Sequence, residues 1–288
     1  MLLSCVRRTA QIIPKIAIPI ETQHQPRARG KVNVSSKRVG KRSVIDQLHQ
    51  SGSSKCLFPR AASEGLDAVL LNTAGGVTGG DCFAATATAG TDTALTLTTQ
   101  ACERAYRAQP DQVGVIRNRL AVGARARLAW LPQETILFEG AALDRCLQID
   151  IDPSGTLLMA EPLVLGRTEM GETLRHLRFR DRIDIRRAGK PLFLDAVSLL
   201  GDAQRHLAKR FIAGGAAAMA LVVYVGADAA GQLDPVRDQL PPTGGASLIQ
   251  PDVLVARLLA ADSFVLRQHL IPILRRLNGD MLPRCWMI

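Results

Sequence analysis

The chain has 288 residues, of which 47% are hydrophobic and only 4% aromatic, and it carries a formal net charge of +10. That length supports a sizeable core, and the scarcity of aromatics leaves Ala, Val, Ile and Leu to build it, side chains suited to closely stacked β layers. The positive charge is spread among acids with too few aromatics for a base-stacking platform, and no apolar run reaches the roughly 18–20 residues of a membrane span, so neither nucleic acid nor a membrane is expected as a partner.

In chain order, residues 1 to about 29 read as a flexible basic extension, with Arg7, Arg8 and Lys15 and no acid before Glu21. From 30 to 288 one β-rich domain is expected. "KVNVSS" from Lys31 alternates as a strand, "SGSSK" at 51–55 reads as a loop before the strand "CLFPR", and "AVLLN" and "CFAATATA" flank a glycine-rich stretch at 73–81. "TALTLTT", "CLQIDID", "LRHLRFR" and "RIDIRR" alternate in the same way, and "AAAMALVVYVGA" at 216–227 reads as a buried strand. A short helix is expected in "TTQACERAYRAQ", where Ala101, Ala105 and Tyr106 share a helical face. The Pro-, Gly- and Asp-rich segment 228–247 is expected as an exposed loop. The clearest helix lies in "ADSFVLRQHLIPILRRLNG", with Asp262 or Ser263 as N-cap, Gly279 as stop and Pro272 expected to kink or split it.

A weak repeat orders these strands. "ALTLTTQACERAYR" from Ala94, "ARLAWLPQETILFEG" from Ala126 and "TLLMAEPLVLGRTEMG" from Thr156 superpose at offsets of 32 and 30 residues (126 − 94 and 156 − 126). A mostly-strand unit of about thirty residues implies layers stacked along an axis, a solenoid-like, mainly β architecture with a few helices.

The stretch "LNTAGGVTGGDCF" is no phosphate cradle: a Walker loop needs Gly-Lys-Ser/Thr where this chain has Gly80-Asp81-Cys82, and a dinucleotide fingerprint needs a helix where "CFAATATA" alternates. A tight inter-strand connection fits better. The six cysteines show no CxxC spacing and the five histidines are dispersed, which points to reduced thiols in a cytoplasmic chain and not to a ready-made zinc site. Acids that follow strands, namely Asp81, Glu134, Glu139, Glu161, Glu169 and Glu172, sit among apolar residues. They read either as partners of Arg104, Arg107, Arg145 and Arg167 or as steps of a metal path. Paired acids could also hydrolyse a glycosidic bond, but a sugar site normally needs aromatic platforms and the chain has only Trp130 and Trp286.

"QSGSSKCLFPR", "LLNTAGGVTGGD", "LTLTTQACERAYR", "WLPQETILFEGA", "EPLVLGRTEMGE" and the terminal "LPRCW", in this order, resemble the UreD family of urease accessory proteins, also called UreH. The likeness runs from about Arg29 to Trp286, departing at Ala74, where the family usually has Pro, and at Cys285, where a hydrophobic residue is commoner. The resemblance implies a two-layer helicoidal β fold and a cytoplasmic, non-enzymatic urease maturation scaffold. Such a scaffold binds apo-urease and UreF, through which the GTPase UreG is recruited. No cofactor is held permanently; nickel(II) passes through internal channels. On that reading Asp81, Glu134 and Glu161 are expected to face one internal passage, Glu134 and Glu161 at nearly matching repeat positions, because dispersed carboxylates hold nickel weakly enough to release it. The segment "FVLRQHLIPILRRL" is expected either to dock UreF or to pack on the chain's own β core. A solenoid enzyme acting on a carbohydrate or other small substrate through paired carboxylates is the alternative.

Overall fold

A computed structural model describes residues 25–60, 63–167 and 170–287; most of the expected N-terminal extension lies outside them. Up to residue 187 the chain zigzags between two sheets. One sheet takes β1 (Arg29–Val39), β2 (Arg42–Gly52), β5 (Cys82–Ala89), β8 (Gly114–Val122), β11 (Ala142–Ile151), β13 (Leu177–Arg187) and β14 (Lys190–Gly201), in the order β14-β13-β11-β8-β5-β1-β2. The other takes β3 (Ser54–Leu57), β4 (Leu66–Asn72), β6 (Ala94–Thr99), β9 (Arg127–Leu131), β12 (Thr156–Leu165), β15 (Ala218–Val225), β16 (Gly245–Gln250) and β17 (Val253–Ala260), with the short β7 (Glu103–Ala105) and β10 (Thr135–Leu137) beside β12. From β4 to β13 successive long strands alternate between sheets, so each coil adds one parallel strand to each layer. This is the expected mainly β, two-layer helicoid.

The thirty-residue repeat is this coil. Leu66 pairs with Leu95, Leu95 with Leu128 and Leu128 with Leu157, steps of 29, 33 and 29 residues across four adjacent parallel strands. The side chains at these rungs point inward and, with Val32, Leu120, Ile149 and Ile183 from the facing sheet, fill the inter-sheet core. Strand β9, "RLAWL", is apolar on both faces: Leu128 and Trp130 face this core, while Ala129 and Leu131 face outward under a helix. A strand buried on both sides loses its alternation and reads as a continuous apolar run.

That helix is α3 (Ser263–Leu277), capped by the Asp262 carboxylate accepting from the Val265 amide at 2.7 Å. It continues through Pro272, whose ring lies on its exposed flank beside Gln268. Leu266, Leu270, Ile273, Leu274 and Leu277 are at most 3% exposed against the second sheet, so the apolar face weighed as a UreF dock is turned onto the chain's own core. A closing 3₁₀ turn (Arg284–Trp286) locks it in place: the Trp286 indole is 1% exposed and donates to the Leu131 carbonyl at 3.0 Å.

Three local expectations differ from the structure. Segment 98–109 is no helix, because β7 is claimed by a parallel ladder with β10 that outweighs its helical spacing. Segment 228–247 is not wholly a loop, since α2 (Ala229–Arg237) forms in it and buries Ala229 and Val236 under β16 and β17. The "SGSSK" loop shrinks to Ser53, with strands on either side.

Candidate functional site

The resemblance-bearing motifs converge at one end of the helicoid. There the glycine-rich loop, β7, β10 and the end of β12 stack in successive layers: Val77 bridges Ala105, Ala105 pairs with Leu137, and Leu137 with Leu165, a ladder at most 4% exposed. Glycine is needed at position 76, where φ is +153° and an added Cβ would lie 2.3 Å from the Tyr106 ring and 2.7 Å from the Arg104 carbonyl oxygen. Only a bare backbone lets this loop close onto β7. Tyr106 in turn meets Phe138 edge-on at 5.1 Å, and the Arg167 guanidinium lies 4.4 Å over the Phe138 ring.

From this end a cavity of about 230 Å³ runs between the sheets, from Gly75 and the exposed Gln100–Ala101 bend inward to Glu103, Arg145 and Glu161. The Arg145 side chain is 11% exposed; it ion-pairs Glu161 at 3.1 Å and Asp181, and donates to the Thr135 hydroxyl at 2.8 Å. Glu161 also accepts the Trp130 indole N–H at 2.7 Å. Two carboxylates share one buried guanidinium. Burial and neighbouring Asp181 push Glu161 above the ordinary carboxylate range against the opposite pull of Arg145, while burial lowers and the two acids more strongly raise Arg145, which stays charged.

Glu103 is the residue that sequence reasoning missed. It sits in the quoted "CERAYR", and its oxygens accept from Asn72 Nδ2 at 3.2 and 3.3 Å, the same amide nitrogen that donates to the Gly76 carbonyl at 2.9 Å. Burial raises its pKa above the ordinary 4.5, with the Asn72 hydrogen bond opposing. A carboxyl with a raised folded pKa takes up a proton on folding, so its charge lowers stability as pH rises from 4.5 through the folded value. Glu103→Gln, which keeps the acceptor for Asn72, should therefore raise the melting midpoint by a few degrees at pH 8. The gain should vanish by about pH 4.5; a pH-independent difference in thermal melts would refute this account.

The three acids expected to share a passage are placed apart. Glu161 lines the cavity. Asp81 caps the glycine-rich loop, its two oxygens accepting from the Ala28 amide at 2.8 Å and the Thr78 amide at 2.9 Å. Glu134, 1% exposed, bonds to Arg267 of α3 at 3.0 and 3.2 Å and accepts from the Cys102 thiol at 3.2 Å. Burial, followed by neighbouring Glu134, pushes that thiol up to about 12, so it stays protonated. Thr135 pairs with Leu163, which sets Glu134 level with Pro162, one residue past Glu161. One step along a strand turns a side chain to the other face. The offset that made the two acids look stacked instead puts Glu161 toward the cavity and Glu134 toward α3. Of the arginines named as partners, Arg145 and Arg167 do pair with acids, Arg167 with Glu172 at 3.0 Å. Glu139 accepts from His176 Nδ1 at 2.7 Å, and Glu169 lies outside the described residues. Among the described residues no three His, Cys, Asp or Glu side chains are grouped to hold a metal ion, and no helix is long and apolar enough to cross a membrane.

These features define a two-layer β helicoid with a charged cavity between its sheets, entered beside a glycine-rich corner. The family profile described as "UreD urease accessory protein" matches residues 28–287, and the chain belongs to that family. It is 58% identical over 257 residues to the urease accessory protein UreD of Ruegeria pomeroyi, covering 89% of this chain and all of the relative. It is 50% identical to that of Roseobacter denitrificans, over 96% of this chain and all of the relative. With the protein of the same name from Agrobacterium fabrum it shares 41% identity, over 91% of this chain and 92% of the relative.

Proposed function

We propose that the chain is a non-catalytic cytoplasmic scaffold of urease maturation that binds apo-urease and UreF, engages the GTPase UreG through UreF, and passes nickel(II) through the inter-sheet cavity. The observation that carries the reading is the pair of half-buried carboxyls, Glu103 and Glu161, lining one cavity with a single deep guanidinium between the sheets. Burial disfavours the charged form of both acids, and Glu161 shares its one guanidinium with Asp181, so the cavity is short of positive charge. A divalent cation supplies it, and two separate carboxylates already engaged by Asn72, Trp130 and Arg145 hold such an ion less firmly than a closed cage of free ligands. Asp81 and Glu134 remain candidates for the path outside the cavity.

The test is urease activation in a urease-positive host carrying Glu161→Gln, which keeps an acceptor for Trp130. Urease nickel content is expected to fall several-fold while co-purification with UreF and apo-urease and the melting midpoint stay near wild type. Normal nickel loading in Glu161→Gln and Glu103→Gln would place the route elsewhere. A substrate turnover by the isolated chain, together with no captured urease components, would overturn the scaffold reading itself.

A further inference from the structure

The two sheets are treated differently on their outer faces. α2 and α3 pack on the sheet containing β15–β17, whereas among the described residues no helix packs on the outer face of the seven-stranded sheet. Five of that sheet's strands, β1, β5, β8, β11 and β13, run parallel side by side. A parallel sheet usually has both faces covered. Here the outward positions mix small and polar residues, and among the charged ones basic residues outnumber acids, most densely on β13. Arg117 and Arg119 on β8 and Arg178, Arg180, Arg182 and Arg186 on β13 are exposed, while Phe179, Ile183 and Ile185 between them point into the core.

The acids on this face do not balance these arginines. Asp144 takes Arg117 at 2.6 Å, and Asp184 is shared by Arg186 at 3.2 Å and Arg182 at 3.9 Å. Arg178 and Arg180 form no ion pair among the described residues. Along the neighbouring edge strand β14, Leu200 opposite Arg178 and Leu194 opposite Asp184 are 55% and 61% exposed. Unpaired arginines beside exposed leucines on one sheet face are the makings of a protein contact, in which Arg is enriched and apolar anchors supply affinity. A phosphate backbone fits less well, because Asp144, Asp150 and Asp184 are interleaved with the arginines and the outward positions of β8, β11 and β13 hold no aromatic side chain for base stacking.

We infer that the outer face of the β13–β14 half of this sheet is a docking surface for an acidic face of a partner protein, with Leu194 and Leu200 as its apolar anchors. The inference deepens the scaffold reading by naming the chemistry of one partner contact, and it stands on this face whichever protein fills it. The test compares three full-length chains: wild type, R178E/R180E/R182E, and R205E/K209E/R210E, which carries the same charge change around the exposed helix at 203–207. Purified apo-urease and UreF are the first probes, and polyglutamate is the second. Wild type and control should retain one of the protein probes, with affinity falling as salt rises, while the face variant should lose at least tenfold with its melting unchanged. The milder R178Q/R180Q replaces it if it misfolds. Capture of neither protein by wild type counts against the scaffold reading, and polyglutamate then decides the surface: binding that is lost in the face variant alone sustains it. Equal loss in the control, retention in the face variant, or a duplex oligonucleotide that binds wild type and not the face variant overturns it.

Discussion

Replacing Arg145 with methionine is expected to destabilise the protein by about 3–5 kcal/mol, roughly two to four powers of ten in the folding equilibrium, because it leaves two buried carboxylates with no counter-charge. The side chain is 11% exposed and bridges Glu161 on one sheet to Asp181 on the other. The sign with pH follows from Glu161, whose folded pKa is raised by burial. Protonating it removes one of the orphaned charges, so the deficit should shrink as pH falls toward 4.5 and be fullest above neutrality. Arg145→Met/Glu161→Gln/Asp181→Asn, which removes the charges together, should recover most of the loss. Urea titrations decide the matter: a midpoint for the single variant within error of wild type would mean that the cluster is solvated and the cavity wetter than its geometry indicates.

Ending the chain after Asp262 should abolish the cooperative fold. The truncation strips Leu266, Leu270, Ile273, Leu274, Leu277 and Trp286 from the second sheet, each 3% exposed or less. At about 1.5–3 kcal/mol per side chain this is roughly 9–18 kcal/mol, as large as the ~5–15 kcal/mol stability of a whole domain. Arg267 leaves as well, so Glu134 becomes a buried carboxylate beside Cys102 with no cation. The expected observation is aggregation with no sharp melting transition. A truncated chain that keeps β-type circular dichroism and a sharp melt, and loses only UreF, would return α3 to the role of a docking arm.

Both predictions depend on what a linear reading can and cannot reach. The coil was legible because its strands repeat their apolar rungs at nearly constant spacing, although the alignment of Ala94, Ala126 and Thr156 is one residue off at its middle copy, where Leu128 and not Arg127 stands level with Leu95 and Leu157. Helix α3 was legible because its cap, apolar face and stop are all local. Glu103 and the Arg145 bridge were less so: Arg145 was named as a partner of acids, but its meeting with Glu161 and Asp181 depends on which strand faces which across two sheets. Glu134 and Glu161 stand one residue apart in register and so point to opposite faces, which an alignment that superposes Ala126 on Thr156 does not resolve. Segment 98–109 misled for a related reason. Its Ala and Tyr spacing is helical, but the hydrogen-bonding partners that decide its conformation lie at Val77 and on β10.

The order in which the two layers are finished bears on how the protein is made. Coils from β4 to β13 can form one after another as the chain emerges, each resting on the coil before it. The outer face of the second sheet waits for α3, which is synthesised after every strand it covers, and for Trp286 beyond it. A nascent chain stalled between β17 and that helix therefore displays a nearly complete sheet with a naked apolar side centred on Leu131, Leu158 and Val222. During synthesis the vulnerable species is a late one, almost fully folded and adhesive, and a chaperone acting on it would need to recognise a flat β surface more than an extended segment.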